Sequence, residues 1–68
     1  MDKLPLKALR AAKNLTQDEV AQLIGVNRRT YSQWENYKTY PSATQLISLS
    51  KVFQCSLDAF YFPHNANY

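Results

Sequence analysis

Residues 16–36 read TQDEVAQLIGVNRRTYSQWEN, and they carry the strongest structural signals in the sequence. The stretch opens with a capping box, in which the Thr16 hydroxyl and the Glu19 carboxylate each accept the other residue's free backbone N–H. Gly25 is expected to end the helix that follows, because glycine adopts the left-handed conformation without a steric cost from Cβ. Asn27 is then a favourable N-cap for another helix. The stretch therefore predicts two short helices joined by a very short turn.

Signals outside this stretch predict three further helices, and no segment alternates between apolar and polar residues as a strand does. Pro5 suits the first position of a first helix that ends near Lys13. A second capping box, Ser42 with Gln45, opens a fourth helix. Ser56 is expected to cap a short fifth helix. The expected fold class is all-α, with five helices.

The chain has 68 residues, a formal net charge of +3 and a single cysteine. A chain of this length has room for one core, so residues 1–68 are expected to form a single domain. Its folded core should cover about residues 4–62, with a flexible tail over 63–68. Cys55 cannot form an internal disulfide, and no segment approaches the roughly 18 apolar residues of a membrane span. We therefore expect a cytoplasmic protein, and its pI of about 9.2 is compatible with a nucleic-acid partner.

The two helices around Gly25 have the geometry of a helix-turn-helix. An ordinary corner between two helices of a bundle looks the same, so the turn alone does not separate the two interpretations. The third helix, Arg28 to about Asn36, is more informative. At about 100° per residue, one arc of roughly 140° holds five polar residues, whereas Tyr31 and Trp34 project from the opposite side. The five are Arg28, Arg29, Ser32, Gln33 and Asn36. Burial of the two rings would leave the polar arc facing solvent.

This polar arc carries residue types that read bases in the major groove. Arg28 and Arg29 can bond bidentately to guanine O6 and N7, and Gln33 to adenine N6 and N7. Ser32 can contact any base. A solvated face is the commoner meaning of such a pattern, but two cations in the first turn of a helix oppose its dipole. A phosphate or guanine partner would account for that cost, which favours contact with DNA.

An ordered set of residues between Leu6 and Phe60 adds a more specific signal: Leu9-Arg10, Leu15-Thr16-Gln17, Val20-Ala21, Gly25-Val26, Tyr31, Trp34-Glu35, Pro41-Ser42, Leu46 and Ser56-Leu57-Asp58. In this set the sequence resembles the phage repressor and Cro type of helix-turn-helix transcription regulators. The resemblance implies a five-helix, lambda-repressor-like DNA-binding domain whose third helix enters the major groove. Arg28, Arg29 and Gln33 match the base-reading positions of that family, and Ser32 lies beside them.

The resemblance also implies contacts to the DNA backbone, at Gln17, Asn36, Lys38, Thr39 and Tyr40. Gln17 lies at the start of helix two, where free N–H groups favour an anion. The resemblance further implies a partly buried ion pair between Arg10 and Glu35, with a structural role. Tyr37 and Gln54 depart from the family, which usually has glycine at these positions, so strained or differently built turns are expected there.

These features predict a sequence-specific transcriptional regulator that binds double-stranded DNA, a repressor or Cro-like protein of a phage or mobile element. Because one recognition helix reads only a few base pairs, we expect a homodimer on a near-palindromic operator, with its recognition helices about 34 Å apart. Helix five with Phe60, Tyr61 and Phe62 is the expected dimer surface, unless these aromatics pack on their own core. Two alternatives stay open: the antitoxin of a toxin-antitoxin pair, and a helical protein-interaction module without DNA binding.

Catalysis has little support in the sequence. His64 is the only histidine, lies in the tail and has no evident carboxylate or cysteine partner. Cys55 falls at a core position, where a thiol is inert. Capping and the helix dipole explain the neighbouring acids Asp18 and Glu19. We therefore expect neither enzyme activity nor a cofactor, metal or small-molecule ligand, and a location with the nucleoid.

Overall fold

The computed structural model describes residues 3–63, and within this range the fold is all-α. Its helices are α1 (Leu6–Ala12), α2 (Gln17–Ile24), α3 (Arg28–Glu35) and α4 (Ala43–Phe53), followed by a 3₁₀ turn at Leu57–Ala59. None of these helices is long and apolar enough to cross a membrane. The expected fold class is confirmed. The tail expected over 63–68 lies outside the described residues, except for Pro63.

Side-chain caps fix where α2, α3 and α4 begin. At α2, the Glu19 N–H donates to the Thr16 hydroxyl at 3.1 Å, and the Thr16 N–H donates to the Glu19 carboxylate at 2.8 Å. Ser42 and Gln45 form the same reciprocal box at α4. At α3 the Asn27 side chain accepts from the backbone of the helix's third residue. These local signals act within three residues of each other, which is why the sequence predicts them well.

The prediction of a fifth α-helix is wrong, because the segment after Ser56 makes only the 3₁₀ turn. The Ser56 side chain forms no capping hydrogen bond, and Phe60 is extended, with φ −76° and ψ 135°. The Leu4 N–H donates to the Ala59 carbonyl at 2.8 Å, and the Tyr61 N–H donates to the Leu4 carbonyl at 2.9 Å. This pairing with the N-terminal segment takes the chain out of helical geometry after one turn.

Three turns of the described chain are built from non-glycine residues in the left-handed region, one of them at Asn14 after α1, with φ 57°. Tyr37, just after α3, has φ 60°, and Gln54, the C-cap of α4, has φ 54°. Each conformation costs an L-residue about 1 kcal/mol relative to glycine. The Gln54 side chain offsets part of this cost, since its Oε1 accepts a hydrogen bond of 2.6 Å from Lys13 Nζ at the end of α1. Tyr37 and Gln54, which stand where glycine was expected, therefore adopt the left-handed turn conformation of glycine at some cost in strain.

All four helices contribute to one core, whose buried members are Leu6, Leu9, Val20, Ala21, Tyr31, Trp34, Leu49, Phe53 and Phe60. On α3, Tyr31 is fully buried and Trp34 is 2% exposed. Their rings meet edge to face, with centroids 5.9 Å apart. The large apolar area of these two rings anchors α3 and fixes which side of it faces outward.

Candidate nucleic-acid interface

The outward side of α3 carries four polar side chains, those of Arg28, Arg29, Ser32 and Gln33. Both arginines are exposed, and the serine and glutamine are half-buried. Within residues 3–63, none of the four side chains takes part in a hydrogen bond, and the ion pair there belongs to other residues. Together with Asn36 and Lys38 they line one open groove of about 530 Å³. The structure thus brings the predicted base-contacting residues together on one free surface.

Positive charge at the N-terminus of α3 opposes the dipole of that helix. Arg28 and Arg29 occupy its first two positions, and its first turn holds no acidic residue. The Asn27 side chain accepts the Thr30 N–H at 2.8 Å and so caps the helix without neutralising the arginines. Such a placement costs a few tenths of a kcal/mol to about 1 kcal/mol. An anionic partner in the groove would remove this cost.

A second cleft lies beside the first turn of α2 and meets the first groove at Arg28. It is lined by Arg10, Asn14, Leu15, Thr16, Gln17, Asp18 and Arg28. The backbone N–H groups of Gln17 and Asp18 donate to no carbonyl of residues 3–63. Free N–H groups of this kind and a guanidinium are the donors that bind phosphate oxygens. Arg28 therefore lines both the surface predicted to contact DNA bases and the surface predicted to bind the phosphate backbone of DNA.

A hydrogen-bond network around Glu35 ties Gln17 to α3. Arg10 Nε and Nη2 donate to the two Glu35 oxygens at 2.6 and 3.2 Å, and Gln17 Nε2 donates to Glu35 Oε1 at 2.9 Å. Arg10 Nη1 donates to the Leu15 carbonyl at 2.9 Å. The ion pair that the resemblance implies is therefore present, and the Glu35 network joins α1, α2 and α3. The Gln17 bond was not predicted, since the two residues are 18 positions apart and no local pattern marks it.

The Glu35 network is charged at neutral pH. Burial acts to raise the pKa of Glu35, but the hydrogen bonds it accepts, above all from Arg10, hold that pKa below its ordinary value. The same hydrogen bond raises the pKa of Arg10. Beside them, the buried Tyr31 hydroxyl lies close to Glu35 and Arg10 but has no partner in good hydrogen-bonding geometry, and burial raises its pKa far above the ordinary value. A charged carboxylate at this point keeps Gln17 fixed at the end of the second cleft.

The loop between α3 and α4 holds the remaining residues predicted to contact phosphate. Lys38, Thr39 and Tyr40 are exposed there, as is Asn36 at the end of α3. The Lys38 N–H donates to the Gln33 carbonyl at 2.9 Å, whereas the N–H groups of Thr39 and Tyr40 donate to no carbonyl in the described part of the chain. The loop therefore offers one ammonium group and two free N–H groups beside the groove.

The aromatic residues predicted to form a dimer surface have different environments. Phe60 is 6% exposed and belongs to the core, so its assignment to the dimer surface is wrong; the pairing of its backbone with Leu4 turns the ring inward. Phe62 is half-buried and packs on the loop after α3. Tyr61 and Leu57 remain exposed, at 46% and 52%. Leu4, whose backbone pairs with this segment, is exposed at 43%, so among the described residues these three side chains can contribute to an interface at this end of the molecule.

The residues considered for catalysis offer no constellation within residues 3–63. No group of three or more His, Cys, Asp or Glu side chains there is placed to hold a metal. Cys55 is half-buried, and burial raises the pKa of its thiol. Asp18 and Glu19 lie in the first turn of α2, where Glu19 completes the cap. His64 lies outside the described residues.

Comparison with known proteins identifies close relatives of this fold. The sequence model of the helix-turn-helix family matches residues 6–60. The chain is 42% identical over 53 residues to the HTH-type transcriptional activator BcrR of Enterococcus faecalis, covering 78% of this chain and 26% of that protein. It is 36% identical over 53 residues to repressor protein C2 of Salmonella phage P22, covering 78% of this chain and 24% of the repressor. It thus spans about a quarter of the length of these two relatives.

A solved structure agrees with these matches. The crystal structure of the P22 c2 repressor in complex with a synthetic operator superposes with a TM-score of 0.74 at 36% sequence identity, covering 78% of this chain and 80% of that one. The family match spans all residues from α1 to the 3₁₀ turn, and the resemblance to phage repressors is confirmed. The chain belongs to the helix-turn-helix family of transcription regulators.

Proposed function

We propose that this protein is a sequence-specific transcriptional regulator that binds double-stranded DNA by inserting α3 into the major groove. The observation that carries the proposal is the free polar face of α3, on which two arginines and a glutamine stand opposite the buried rings of Tyr31 and Trp34. Residue types of this kind make bidentate contacts with purines. The operator complex of the similar P22 c2 repressor supports the same partner.

The proposal assigns two sets of contacts. Arg28, Arg29, Gln33 and Ser32 contact base edges. Gln17, Asn36, Lys38, Thr39 and Tyr40 contact phosphates on either side of the groove. Contacts of the first kind specify the sequence, whereas those of the second fix the position of the protein on the duplex. The protein acts by binding and not by catalysis, and it is located with the nucleoid.

A homodimer on a near-palindromic site completes the proposal. One short helix reads only a few base pairs, and two-fold pairing places two helices about 34 Å apart on one side of the duplex. Among residues 3–63, the exposed apolar side chains of Leu57 and Tyr61, with Leu4 beside them, are available for pairing. Relatives of this chain include both a named activator and a named repressor.

Selection of bound duplexes from a random pool tests the proposal. We expect an enriched inverted repeat with half-site centres about one helical turn apart. The variant Arg28→Ala/Arg29→Ala, whose two side chains form no hydrogen bond or ion pair within residues 3–63, should fold normally and lose this enrichment. A wild-type protein that enriches no sequence, or a double variant that enriches the wild-type motif, would contradict base reading by α3.

A further inference from the structure

We propose that Phe62 is a positioning residue that holds the DNA-contacting loop between α3 and α4, an inference that rests on the proposed function. Phe62 lies beyond residues 6–60, which match the family. Its ring meets two tyrosines of the loop edge to face, with centroids 6.3 Å from Tyr37 and 5.8 Å from Tyr40. On its other side the ring is 6.3 Å from Phe60, a core residue. Phe62 thus connects the loop to the core.

Apart from Pro41, which is buried at the end of the loop, the loop is held by few contacts. Among residues 3–63, backbone hydrogen bonds hold it only as far as the Lys38 N–H, and the next N–H along the chain that is bonded is that of Ser42, which donates to the side-chain Oε1 of Gln45 at 2.8 Å. Tyr37 has a positive φ of 60°, a conformation that persists only where the surrounding contacts hold it. Packing on Phe62 is a contact of this kind.

Loss of this packing affects DNA binding although Phe62 itself makes no contact to DNA. Phe62 is half-buried, whereas Lys38, Thr39 and Tyr40 are exposed. A loop that samples several conformations presents Lys38 to phosphate only part of the time, so the affinity falls and the contribution of that contact to the salt slope falls with it. The phosphate contacts of the loop are sequence-independent, so the loss should appear on any duplex.

The experiment measures fluorescence anisotropy of a labelled mixed-sequence duplex across a salt series. Phe62→Ala is compared with Phe53→Leu, because Phe53 also packs on Phe60, with centroids 6.5 Å apart, but lies on α4, and the ring that pairs with Tyr37 and Tyr40 is that of Phe62. We expect Phe62→Ala to bind about tenfold more weakly and to lose about 0.9 from the slope of log K against log salt, the share of one phosphate contact. Phe53→Leu should keep the wild-type slope. The double variant Lys38→Ala/Phe62→Ala should also lose less affinity than the product of the fold-losses of the two single variants.

Far-UV circular dichroism at the assay temperature separates unfolding from loop release. If Phe62→Ala is unfolded, Phe62→Leu, which keeps apolar bulk against Phe60, takes its place with the same expected loss of slope. A folded Phe62 variant with wild-type affinity and salt slope overturns the inference. It is also overturned if the loss of affinity in the double variant equals the product of the losses in the two single variants. A wild-type chain that binds no duplex overturns the proposed function, whereas binding that is unaffected by either Phe62 variant overturns this inference alone.

Discussion

Replacement of Arg10 should destabilise the fold more than removal of the charge on Glu35. Arg10→Met keeps the apolar stem but leaves the Glu35 carboxylate, 4% exposed, with the Gln17 bond of 2.9 Å as its remaining partner. Glu35→Gln keeps the side-chain volume and leaves a guanidinium that is 16% exposed and still bonded to the Leu15 carbonyl. The uncompensated charge is therefore better solvated in the second variant.

The magnitudes follow from this difference in exposure. Removal of one partner of a buried ion pair costs about 3 to 5 kcal/mol, and less where water reaches the remaining charge. We expect a loss of about 4 kcal/mol for Arg10→Met and about 2 kcal/mol for Glu35→Gln. A domain of this size has a total stability near the lower end of about 5–15 kcal/mol, so the first variant should be only marginally folded.

The pH dependence of the free energy of unfolding tests independently whether the Glu35 carboxylate stabilises or destabilises each protein. In the wild type the pKa of Glu35 lies below its ordinary value of 4.5, so its stabilising contribution is complete above that value and is lost as the pH falls through the folded-state pKa. In Arg10→Met burial dominates and raises the pKa of Glu35, so the penalty is present above the ordinary pKa and disappears on protonation. The difference in the free energy of unfolding between the wild type and Arg10→Met should therefore decrease from neutral pH to about pH 4.

Urea unfolding followed by Trp34 fluorescence and circular dichroism measures both quantities. Low temperature keeps the weaker variant folded in the absence of urea. A loss for Glu35→Gln that equals or exceeds that for Arg10→Met would refute the reasoning from exposure. A difference between the wild type and Arg10→Met that does not change with pH would refute the assignment of the penalty to a buried carboxylate.

Four further substitutions test other parts of the structure. Arg28→Ala should cost about 1–3 kcal/mol of specific binding and relax preference at one base position in competition assays; an equal loss on random duplex would contradict base reading. Lys38→Ala should weaken binding to all duplexes alike and lower the salt slope by about 0.9, and a loss confined to the operator would argue against a phosphate contact. Gln54→Gly should relieve left-handed strain of about 1 kcal/mol and, despite the lost Lys13 bond, leave the melting temperature unchanged or raised, so a lowered value would contradict the strain. Tyr31→Phe removes a buried hydroxyl without a hydrogen bond and should raise the free energy of unfolding by up to about 1 kcal/mol; a loss of that size would indicate a bonded hydroxyl.

Local chemistry explains why the helix-turn-helix was predictable. The caps of α2 and α3 depend on side chains within three residues of the helix start, and Gly25 has the left-handed φ of 78° that its position requires. The burial of Tyr31 and Trp34 follows from the 3.6-residue period of a helix, which also places the polar arc outside. Each of these features is determined by neighbours along the chain.

The features that were missed depend on contacts between distant segments. Ser56 is a suitable cap for a fifth helix, but the backbone of Leu4 pairs with Phe60, and this pairing replaces further helical hydrogen bonds. That pairing also determines that Phe60 points to the core, whereas Tyr61 stays exposed. Likewise, the Gln17 bond to Glu35 exists only because α2 and α3 pack together. The sequence shows several aromatic residues near its C-terminal end, but which of these rings is buried and which is exposed depends on contacts with distant segments.

Chemical protection of guanine N7 in the protein–operator complex is the most direct test of α3 in the major groove. N7 lies on the major-groove edge of guanine, so a bound arginine shields it from methylation by dimethyl sulfate. The account predicts protected guanines in each half-site, with protection at one of them lost in Arg28→Ala while the complex persists. Guanines that stay fully reactive in a saturated wild-type complex would contradict the account.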